Sequence, residues 1–335
     1  MPDAALPTIA LLATGGTIAG AQTGEPSGAY RAGSLPVEAL LSAVPGLQRL
    51  ARLQPEQVAS VGSQNIGLDT WATLVERVQA LCADPSIDGI VITHGTDTLE
   101  ETAYLLSLVL PWSKPVVLVG AMRPATALGA DGPANLYNAV ALAAHPQAFG
   151  RGPLVLMNDE IHEAALVQKM AANGVDAFAS PNGGRAGTVH AGTPRFVRPA
   201  GAALPARFAL PPRGDDGSRD WPVVDIVHAH AGMDGAVVDF MAARARGIVL
   251  AGVGDGNASD AVLDALERAA LRGVAVVRST RTGSGWVGRN VEVDDDARHF
   301  IAAGPLSPQK ARVLLMLALA AGVTQAEAQA LFEQA

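Results

Sequence analysis

A compact polar segment, residues 93 to 98 (THGTDT), interrupts an otherwise apolar part of the chain. The β-branched residues 90 to 92 before it are typical of a buried strand, and Leu99, Ala103 and Leu106 after it recur at helical spacing. Strand-to-helix turns are where α/β sheets bind ligands, and the first N–H groups of a helix can receive a carboxylate or a developing oxyanion. The segment is therefore predicted to form part of a functional site.

A structural role would explain only part of this segment. Thr98, followed three residues later by Glu101, fits a helix-capping box, and we expect Thr98 to cap the helix. One helix start needs one cap, so capping does not account for Thr96 or Asp97.

A second polar turn, residues 14 to 20 (TGGTIAG), follows a predicted buried strand at Ile9 to Ala13. Its glycines allow the backbone to approach a ligand closely. The segment 20 to 33 that comes next has loop composition, carries Tyr30 and is interpreted as a possible lid.

Both turns offer a threonine hydroxyl, Thr17 in one and Thr96 in the other. An alcohol becomes a good nucleophile only when a neighbouring base takes its proton and oriented donors stabilise the charge that forms. Tyr30 and Lys169 are the candidate activators. A lysine acts as a base only when burial lowers its pKa, and a neighbouring carboxylate has the opposite effect, so the role of Lys169 stays open.

Motifs for other chemistries are incomplete. Residues 162 and 163 lack the second histidine of a zinc protease, and the histidines at 228 and 230 lack an evident third ligand. The Ser-x-x-Lys pattern at 307 to 310 is explained by a helix cap. The glycine-rich stretch 252 to 256 breaks the dinucleotide fingerprint. No metal site is expected.

Composition narrows the class of protein. The chain has 335 residues, a net charge of −8 and 17% charged residues, without the basic cluster that a nucleic-acid footprint needs. No apolar run reaches membrane-spanning length. Cys82, the only cysteine, falls on the apolar face of a predicted helix and is expected to be a buried structural thiol. Because the N-terminus lacks a basic leader region, we expect a cytoplasmic protein, or a periplasmic one if a leader was removed.

The remaining pattern is that of an α/β protein with a mainly parallel sheet, because apolar strands alternate with amphipathic helices. The strands are predicted at 89–93, 115–119, 153–157, 223–227, 247–251 and 274–277, and the clearest early helices at 71–82 and 135–144. We predict an N-terminal domain at 1–205, a proline-rich linker at 206–222 and a smaller C-terminal domain at 223–335. Helix caps are expected at Ser259 and Ser307, and a capping box at Thr324 and Glu327.

These motifs resemble those of the bacterial L-asparaginases, close to the type II and glutaminase-asparaginase group. The two signature segments are ATGGTIAG at 13–20 and THGTDTLEETAYLL at 93–106. Further similar blocks, spread over the whole chain, are VGSQN at 61–65, PVVLVGAMRP at 115–124, DGPANLYNAV at 131–140, AGVGDGN at 251–257 and PQKARVLLMLAL at 308–319.

The resemblance implies hydrolysis of L-asparagine to L-aspartate and ammonia, with some glutamine hydrolysis and no cofactor. It implies a larger N-terminal α/β domain with a mixed sheet, a smaller flavodoxin-like C-terminal domain, and a homotetramer built as a dimer of dimers. The catalytic residues it implies are Thr17, Tyr30, Thr96, Asp97, Lys169 and Glu292. The substrate-binding residues it implies are Gly16, Ser63, Gln64, Thr96, Asp97, Asn257 and Glu292, the last two reaching a neighbouring subunit's site.

One departure from the family concerns a disulfide found in some members. Cys82 aligns with one half of that bridge, but Trp112 stands at the position of the other half.

Asp255 and Glu292 look like ordinary loop charges, and we expect a role for them only where this face meets another subunit. Two other classes stay open: a binding module without turnover, and the asparaginase-like subunit of a tRNA-dependent amidotransferase. The acidic composition argues against the latter.

Overall fold

The computed structural model describes residues 6–22, 29–200 and 206–334. The chain forms two compact units, Met1–Arg207 and Phe208–Ala335. The predicted linker at 206–222 begins at this division, whereas residues 201–205, the end of the predicted first domain, lie outside the described residues.

The first unit combines many short strands with four helices in its described part. Its strands are β1 (Thr8–Gly15), β2 (Ala21–Gln22), β3 (Tyr30–Arg31), β4 (Arg52–Val61), β5 (Gly89–Thr93), β6 (Val116–Val119), β7 (Pro153–Met157), β8 (Glu160–Glu163), β9 (Gln168–Lys169), β10 (Phe178–Ala179), β11 (Gly187–His190) and β12 (Thr193–Phe196). Its helices are α1 (Val37–Ser42), α2 (Leu68–Ala83), α3 (Leu99–Val109) and α4 (Gly132–Ala143).

Eight of these strands form one mixed sheet in the order β12-β11-β8-β7-β6-β5-β1-β4. The five strands from β7 to β4 run parallel, and β8, β11 and β12 add antiparallel pairs. Every residue of β1, β5, β6 and β7 is buried, which is why these strands are continuous apolar runs in the sequence. The predicted mixed sheet is confirmed.

The second unit is a parallel sheet of four strands in sequential order, β13 (Val224–His228), β14 (Gly247–Gly252), β15 (Ala275–Thr280) and β16 (Phe300–Ala302). Its helices are α5 (Ala236–Ala242), α6 (Asp260–Leu271), α7 (Asp295–Arg298), α8 (Pro308–Ala320) and α9 (Gln325–Glu333). Its core contains Ile248, Leu250, Val276 and Leu266, each fully buried.

All predicted strands are present, with ends displaced by a few residues, but several strands were missed. The longest of these is β4, whose sequence RLQPEQVASV is polar and contains Pro55. It lies at the edge of the sheet, where a proline removes no essential ladder bond and one side faces solvent. Exposed and half-buried residues follow one another irregularly along β4, so its sequence lacks the apolar-polar alternation by which a strand is recognised.

The predicted helix caps have different outcomes. Ser307 accepts a hydrogen bond from the Lys310 N–H, and Thr324 forms a complete capping box with Glu327, as expected. Ser259 occupies the predicted cap position, but its hydroxyl donates to the Met233 carbonyl at 2.8 Å and does not cap the helix.

No helix within the described ranges is long and apolar enough to cross a bilayer.

Candidate active site

The two polar turns of the sequence lie side by side, because β1 and β5 are adjacent parallel strands. Ala13 pairs with Thr93, so both chains leave the sheet at the same edge. Gly16 then packs directly on Gly95: a β-carbon built on Gly16 would fall 2.3 Å from the Gly95 Cα. Gly16 also has a φ of 79°, a conformation that favours glycine. The close approach brings the Thr17 and Thr96 turns into direct contact.

Thr17 begins a single turn of 3-10 helix, and its side chain is buried. Its Oγ1 lies 2.8 Å from the Tyr30 hydroxyl, and either oxygen can be the donor. Tyr30 belongs to β3, which pairs with β2, and its ring lies over Gly20. The phenol is 42% exposed, so it stands between the buried hydroxyl and solvent. Of the predicted lid, residues 23–28 lie outside the described part of the chain.

Thr96 belongs to a second group, which also contains Lys169 and Asp97. The Lys169 ammonium donates to Thr96 Oγ1 at 2.9 Å and to Asp97 Oδ1 at 2.7 Å. Thr96 is buried, whereas 57% of the Asp97 side chain is exposed and 17% of the Lys169 side chain. A buried alcohol, a cation and an accessible carboxylate therefore meet at one edge of the sheet.

Glu100 holds this group in place through the backbone of Lys169. Glu100 was not identified as a site residue from the sequence. Its buried carboxylate accepts a hydrogen bond from the backbone N–H of Lys169 at 2.5 Å. Glu100 lies in the first turn of α3, four residues after Thr96 in the preceding turn, so one short segment carries both the hydroxyl and the group that fixes the Lys169 backbone. The available signal was a charged residue on a helix that is otherwise buried nearly all round.

Ser63 connects the neighbouring loop to the same turn. Its Oγ accepts the Asp97 N–H at 3.1 Å, and its carbonyl accepts the Thr98 hydroxyl at 2.9 Å. Thr98 occupies the N-cap position of α3, but its side chain makes no capping hydrogen bond. The predicted capping box with Glu101 is therefore wrong. The hydroxyl holds two loops together instead. Gln64, also on the 63–65 turn, is exposed and its amide lies over Gly62.

His94 is fully buried and completes a chain of directed hydrogen bonds. His94 Nδ1 lies 2.7 Å from the Gly95 carbonyl, which can only accept, so the proton of the neutral ring is on Nδ1. Nε2 therefore accepts from the Thr102 hydroxyl, 2.9 Å away, and Thr102 Oγ1 in turn accepts the Trp71 indole N–H at 2.8 Å. Burial lowers the pKa of His94 to about 4, which the bond to Gly95 only partly offsets. A neutral imidazole thus orients the peptide between Gly95 and Thr96.

The second unit holds the other two predicted site residues, and they are in contact. Asn257 Nδ2 donates to Glu292 Oε2 at 2.9 Å, with Glu292 exposed and Asn257 half-buried. Asp255, for which we expected a role only at a subunit contact, has one within its own unit. Its Oδ1 accepts the Gly288 N–H at 2.8 Å, which joins the loop before Asn257 to the loop before Glu292.

Over the described ranges, His, Cys, Asp and Glu side chains do not gather in groups of three or more that could hold a metal ion. The chemistry available at the site is that of hydroxyls, a phenol, an ammonium and carboxylates. Such a set can form and hydrolyse an acyl intermediate and can bind both charged ends of an amino acid.

Comparison with known families agrees with this geometry. The family model "Asparaginase, N-terminal" matches residues 8–200, and "Glutaminase/Asparaginase C-terminal domain" matches residues 223–332. The chain is 45% identical to the "Probable L-asparaginase periplasmic" of Haemophilus influenzae, over 94% of this chain and 89% of that protein. It is 44% identical to the "L-asparaginase 2" of Escherichia coli, over 98% of this chain and 94% of that protein.

A solved structure gives the same result. The crystal structure of the probable cytoplasmic L-asparaginase from Campylobacter jejuni superposes with a TM-score of 0.91 at 40% identity, covering 98% of this chain and all of that one. Two family models in chain order, relatives similar over nearly the full length and a matching fold all agree. The chain belongs to the asparaginase family.

Proposed function

We propose that this protein hydrolyses L-asparagine to L-aspartate and ammonia, with some activity on L-glutamine. The observation that carries the proposal is the contact between Gly16 and Gly95, which sets two differently equipped threonine hydroxyls on touching turns. Thr17 is bonded to a phenol and Thr96 to an ammonium. The names of the relatives support the same reaction.

In the proposed mechanism Thr17 is the nucleophile. Its hydroxyl passes its proton to the Tyr30 oxygen, 2.8 Å away, as Oγ1 bonds to the amide carbon of the substrate, and the phenol releases its own proton toward the amide nitrogen in the same step. The carbonyl oxygen becomes an oxyanion that backbone N–H groups of the glycine-rich turns stabilise. The amide nitrogen takes up a proton and leaves as ammonia, and Thr17 is left as an ester of aspartate. Water then hydrolyses the ester and releases aspartate.

Thr96, Lys169 and Asp97 are proposed to serve the water-dependent half of the reaction. The Thr96 oxygen accepts a bond from the Lys169 ammonium, so its own hydrogen points elsewhere and its lone pairs are partly engaged. Such an oxygen is a weaker nucleophile than Thr17 but can hold and orient a water molecule. The carboxylate of Asp97, bonded to the same ammonium, keeps the lysine in place.

The substrate's charged ends are proposed to bind beside these hydroxyls. Asp97 is accessible and negative, which suits the α-amino group. Ser63 Oγ accepts the Asp97 N–H and retains its own hydrogen for the α-carboxylate. Gln64 supplies a further amide donor, and Gly16 supplies backbone at the narrowest part of the turn. With both ends held, the side-chain amide is left to meet Thr17.

Asn257 and Glu292 are proposed to complete the site of a neighbouring copy. Their mutually bonded side chains, with Glu292 exposed and Asn257 half-buried, form a polar pair for the α-amino end of a substrate. This arrangement requires an oligomer, and we propose a homotetramer built as a dimer of dimers. Sedimentation or light scattering measures that state directly.

The first experiment measures ammonia release from asparagine and from glutamine on protein of known oligomeric state. Saturable release from asparagine is expected, and the two kcat/KM values rank the substrates. Thr17→Ala and Thr96→Ala should each fold and lose roughly 10³-fold or more in kcat. Thr73→Ala is the matched control, because its exposed hydroxyl donates to the Asp69 carbonyl within its own helix, α2.

A fully active Thr17→Ala would overturn the nucleophile assignment. Asparagine binding without ammonia release would instead indicate a binding module. Release only in the presence of charged tRNA and a partner protein would indicate an amidotransferase subunit.

Sharing of residues between copies has its own test. Thr17→Ala and Glu292→Ala subunits, each strongly impaired alone, are mixed and reassembled. Some mixed oligomers then contain one complete site, made of an intact Thr17 and an intact Glu292 from different chains, and activity should return. Verified mixed oligomers without any recovery would count against sharing.

For the compartment we propose the cytoplasm. The relatives differ, since the Haemophilus protein is named periplasmic and the Campylobacter protein cytoplasmic. The buried, unpaired thiol of Cys82 is compatible with a reducing compartment. Fractionation of the source cells, with the activity followed in each fraction, distinguishes the two locations.

A further inference from the structure

We propose that Arg278 is a positioning residue for catalysis: it clamps the two loops that carry Asn257 and Glu292 and so holds this pair in the geometry that a neighbouring active site needs. The inference rests on the proposed function, in which the pair completes that site. Arg278 was not recognised from the sequence, because it is one charged residue near the end of an apolar strand.

Arg278 lies on β15 and is fully buried, yet each of its five N–H groups has an acceptor within the second unit. Its Nε and Nη2 donate to the two oxygens of the Asp295 carboxylate at 2.6 and 2.7 Å. Its Nη1 donates to the carbonyls of Asp255 at 2.8 Å and Gly256 at 3.3 Å. Its second Nη2 hydrogen reaches the Gly288 carbonyl at 3.0 Å.

Two of these acceptors lie in the loop that carries Asn257. Asp255 and Gly256 immediately precede Asn257 in the loop after β14. A backbone bridge between Val253 and Asn257, with both N–H···O distances 2.8 Å, closes that loop into a tight turn. A β-carbon on Gly256 would stand 3.3 Å from the Arg278 Nη1, and its φ is 74°, so glycine lets the guanidinium approach. One cation therefore fixes the backbone directly before Asn257.

The other acceptors bracket Glu292. Asp295 Oδ2 also accepts the Asn290 N–H at 2.8 Å, while Asn290 Oδ1 accepts the Asp295 N–H at 2.8 Å. Asn290 has a φ of 54°, so the 290–295 segment turns sharply and returns on itself. Glu292 is exposed at the middle of this closed segment, whose end is tied to Arg278 through the Asp295 carboxylate.

Stability alone does not account for a buried pair of this kind. The cost of removing both charges from water is comparable with their attraction, and well-packed apolar residues are often as stabilising. What the pair adds is geometry, since a planar guanidinium with five directed donors holds five acceptors in fixed positions. The loops in question leave the carboxyl ends of parallel strands, where small displacements matter for ligands.

The test is a double-mutant cycle on the intact oligomer. Arg278→Lys keeps the positive charge but cannot reach five acceptors, and we expect roughly a tenfold fall in kcat/KM for asparagine. In the Glu292→Ala background the same change should cost less than about twofold, because its effect passes through that side chain. Val276→Ala, two residues away on β15 and fully buried, is the control for a general loss of packing. It should lower the melting temperature without moving kcat/KM by more than about twofold.

A second variant guards against failure of Arg278→Lys to fold. Asn290→Gly keeps the backbone conformation that φ 54° requires and removes only an exposed side chain that closes the Glu292 segment. It is expected to reduce kcat/KM several-fold, roughly two- to fivefold, in the wild-type background and to have no effect in the Glu292→Ala background.

The outcomes separate the two proposals. If Glu292→Ala lowers activity and the effects of Arg278→Lys and Asn290→Gly simply multiply with it, the positioning role is overturned while the proposed function stands. If Glu292→Ala is fully active, both the positioning role and the sharing of residues between copies are overturned. If the wild-type protein releases no ammonia from asparagine, the proposed function itself is rejected.

Discussion

Gly16 and Gly95 are in backbone contact, so close that a β-carbon on Gly16 would stand 2.3 Å from the Gly95 Cα and 2.4 Å from its nitrogen. The two glycines belong to turns that are nearly eighty residues apart in the sequence. Their contact sets the distance between the Thr17 and Thr96 turns, and neither turn can tolerate a side chain at this point. The first prediction follows from this contact.

Gly16→Ala should separate the two turns. The new methyl group meets backbone atoms that cannot rotate away, and φ 79° is strained for alanine, so a loss of about 1–3 kcal/mol in unfolding free energy is expected. A displacement on the order of 1 Å at the reacting groups should lower kcat by roughly 100-fold. The control is Gly67→Ala, because that glycine has open space around it. Wild-type kinetics in Gly16→Ala would contradict the proposed role of the contact.

Tyr30→Phe should lower kcat and leave the stability of the fold nearly unchanged. The change removes the hydroxyl bonded to Thr17 but keeps the ring that lies over Gly20. Because Tyr30 is 42% exposed, the unfolding free energy should change by less than about 0.5 kcal/mol, while loss of the proton acceptor should lower kcat by roughly 100-fold.

Tyr137→Phe makes the same chemical change on α4 and serves as its control. That variant should keep the wild-type kcat in the ammonia assay. A Tyr30→Phe protein with normal kcat would remove Tyr30 from the proposed mechanism.

The buried His94 predicts a specific loss of stability in acid. In the unfolded chain its pKa is the ordinary 6.5, and in the folded protein burial lowers the pKa to about 4. Between these values the unfolded state binds the proton more readily, so the stabilisation is complete above pH 6.5 and is lost as the pH falls toward 4.

Urea unfolding at several pH values measures this effect. Between about pH 7 and about pH 4.5, the wild type should lose about 2 kcal/mol more than His94→Gln, whose side chain does not titrate. Equal losses in the two proteins would mean that His94 is not the group responsible.

Cys82 should be inert until the protein unfolds. It is 8% exposed, and burial raises the pKa of its thiol, although Lys114 and Ser113 act in the opposite direction. The reactive thiolate is therefore scarce near neutral pH. Because the chain has no other cysteine, a thiol reagent should label none of the native protein and one site per chain in denaturant. Rapid labelling of the native protein would contradict its burial.

Local signals predicted much of the fold. Continuous apolar runs marked the fully buried strands β1, β5, β6 and β7, because a strand buried on both faces needs apolar residues throughout. The cap at Ser307 and the capping box at Thr324 were visible because both partners lie within a few residues of each other. Edge strand β4 escaped notice because its half-exposed residues follow no period.

Local sequence patterns were enough to predict the residue types of the candidate site and the turns that carry them, since strand-to-helix turns and glycine-rich loops are local features. Which of these groups meet depended on long-range packing. The Thr98 hydroxyl binds the Ser63 carbonyl instead of its own helix, Glu100 holds the backbone of Lys169, and Arg278 ties together the two loops that carry Asn257 and Glu292. Each of these contacts joins residues 10 to 69 positions apart, so packing, not local propensity, selects the partner.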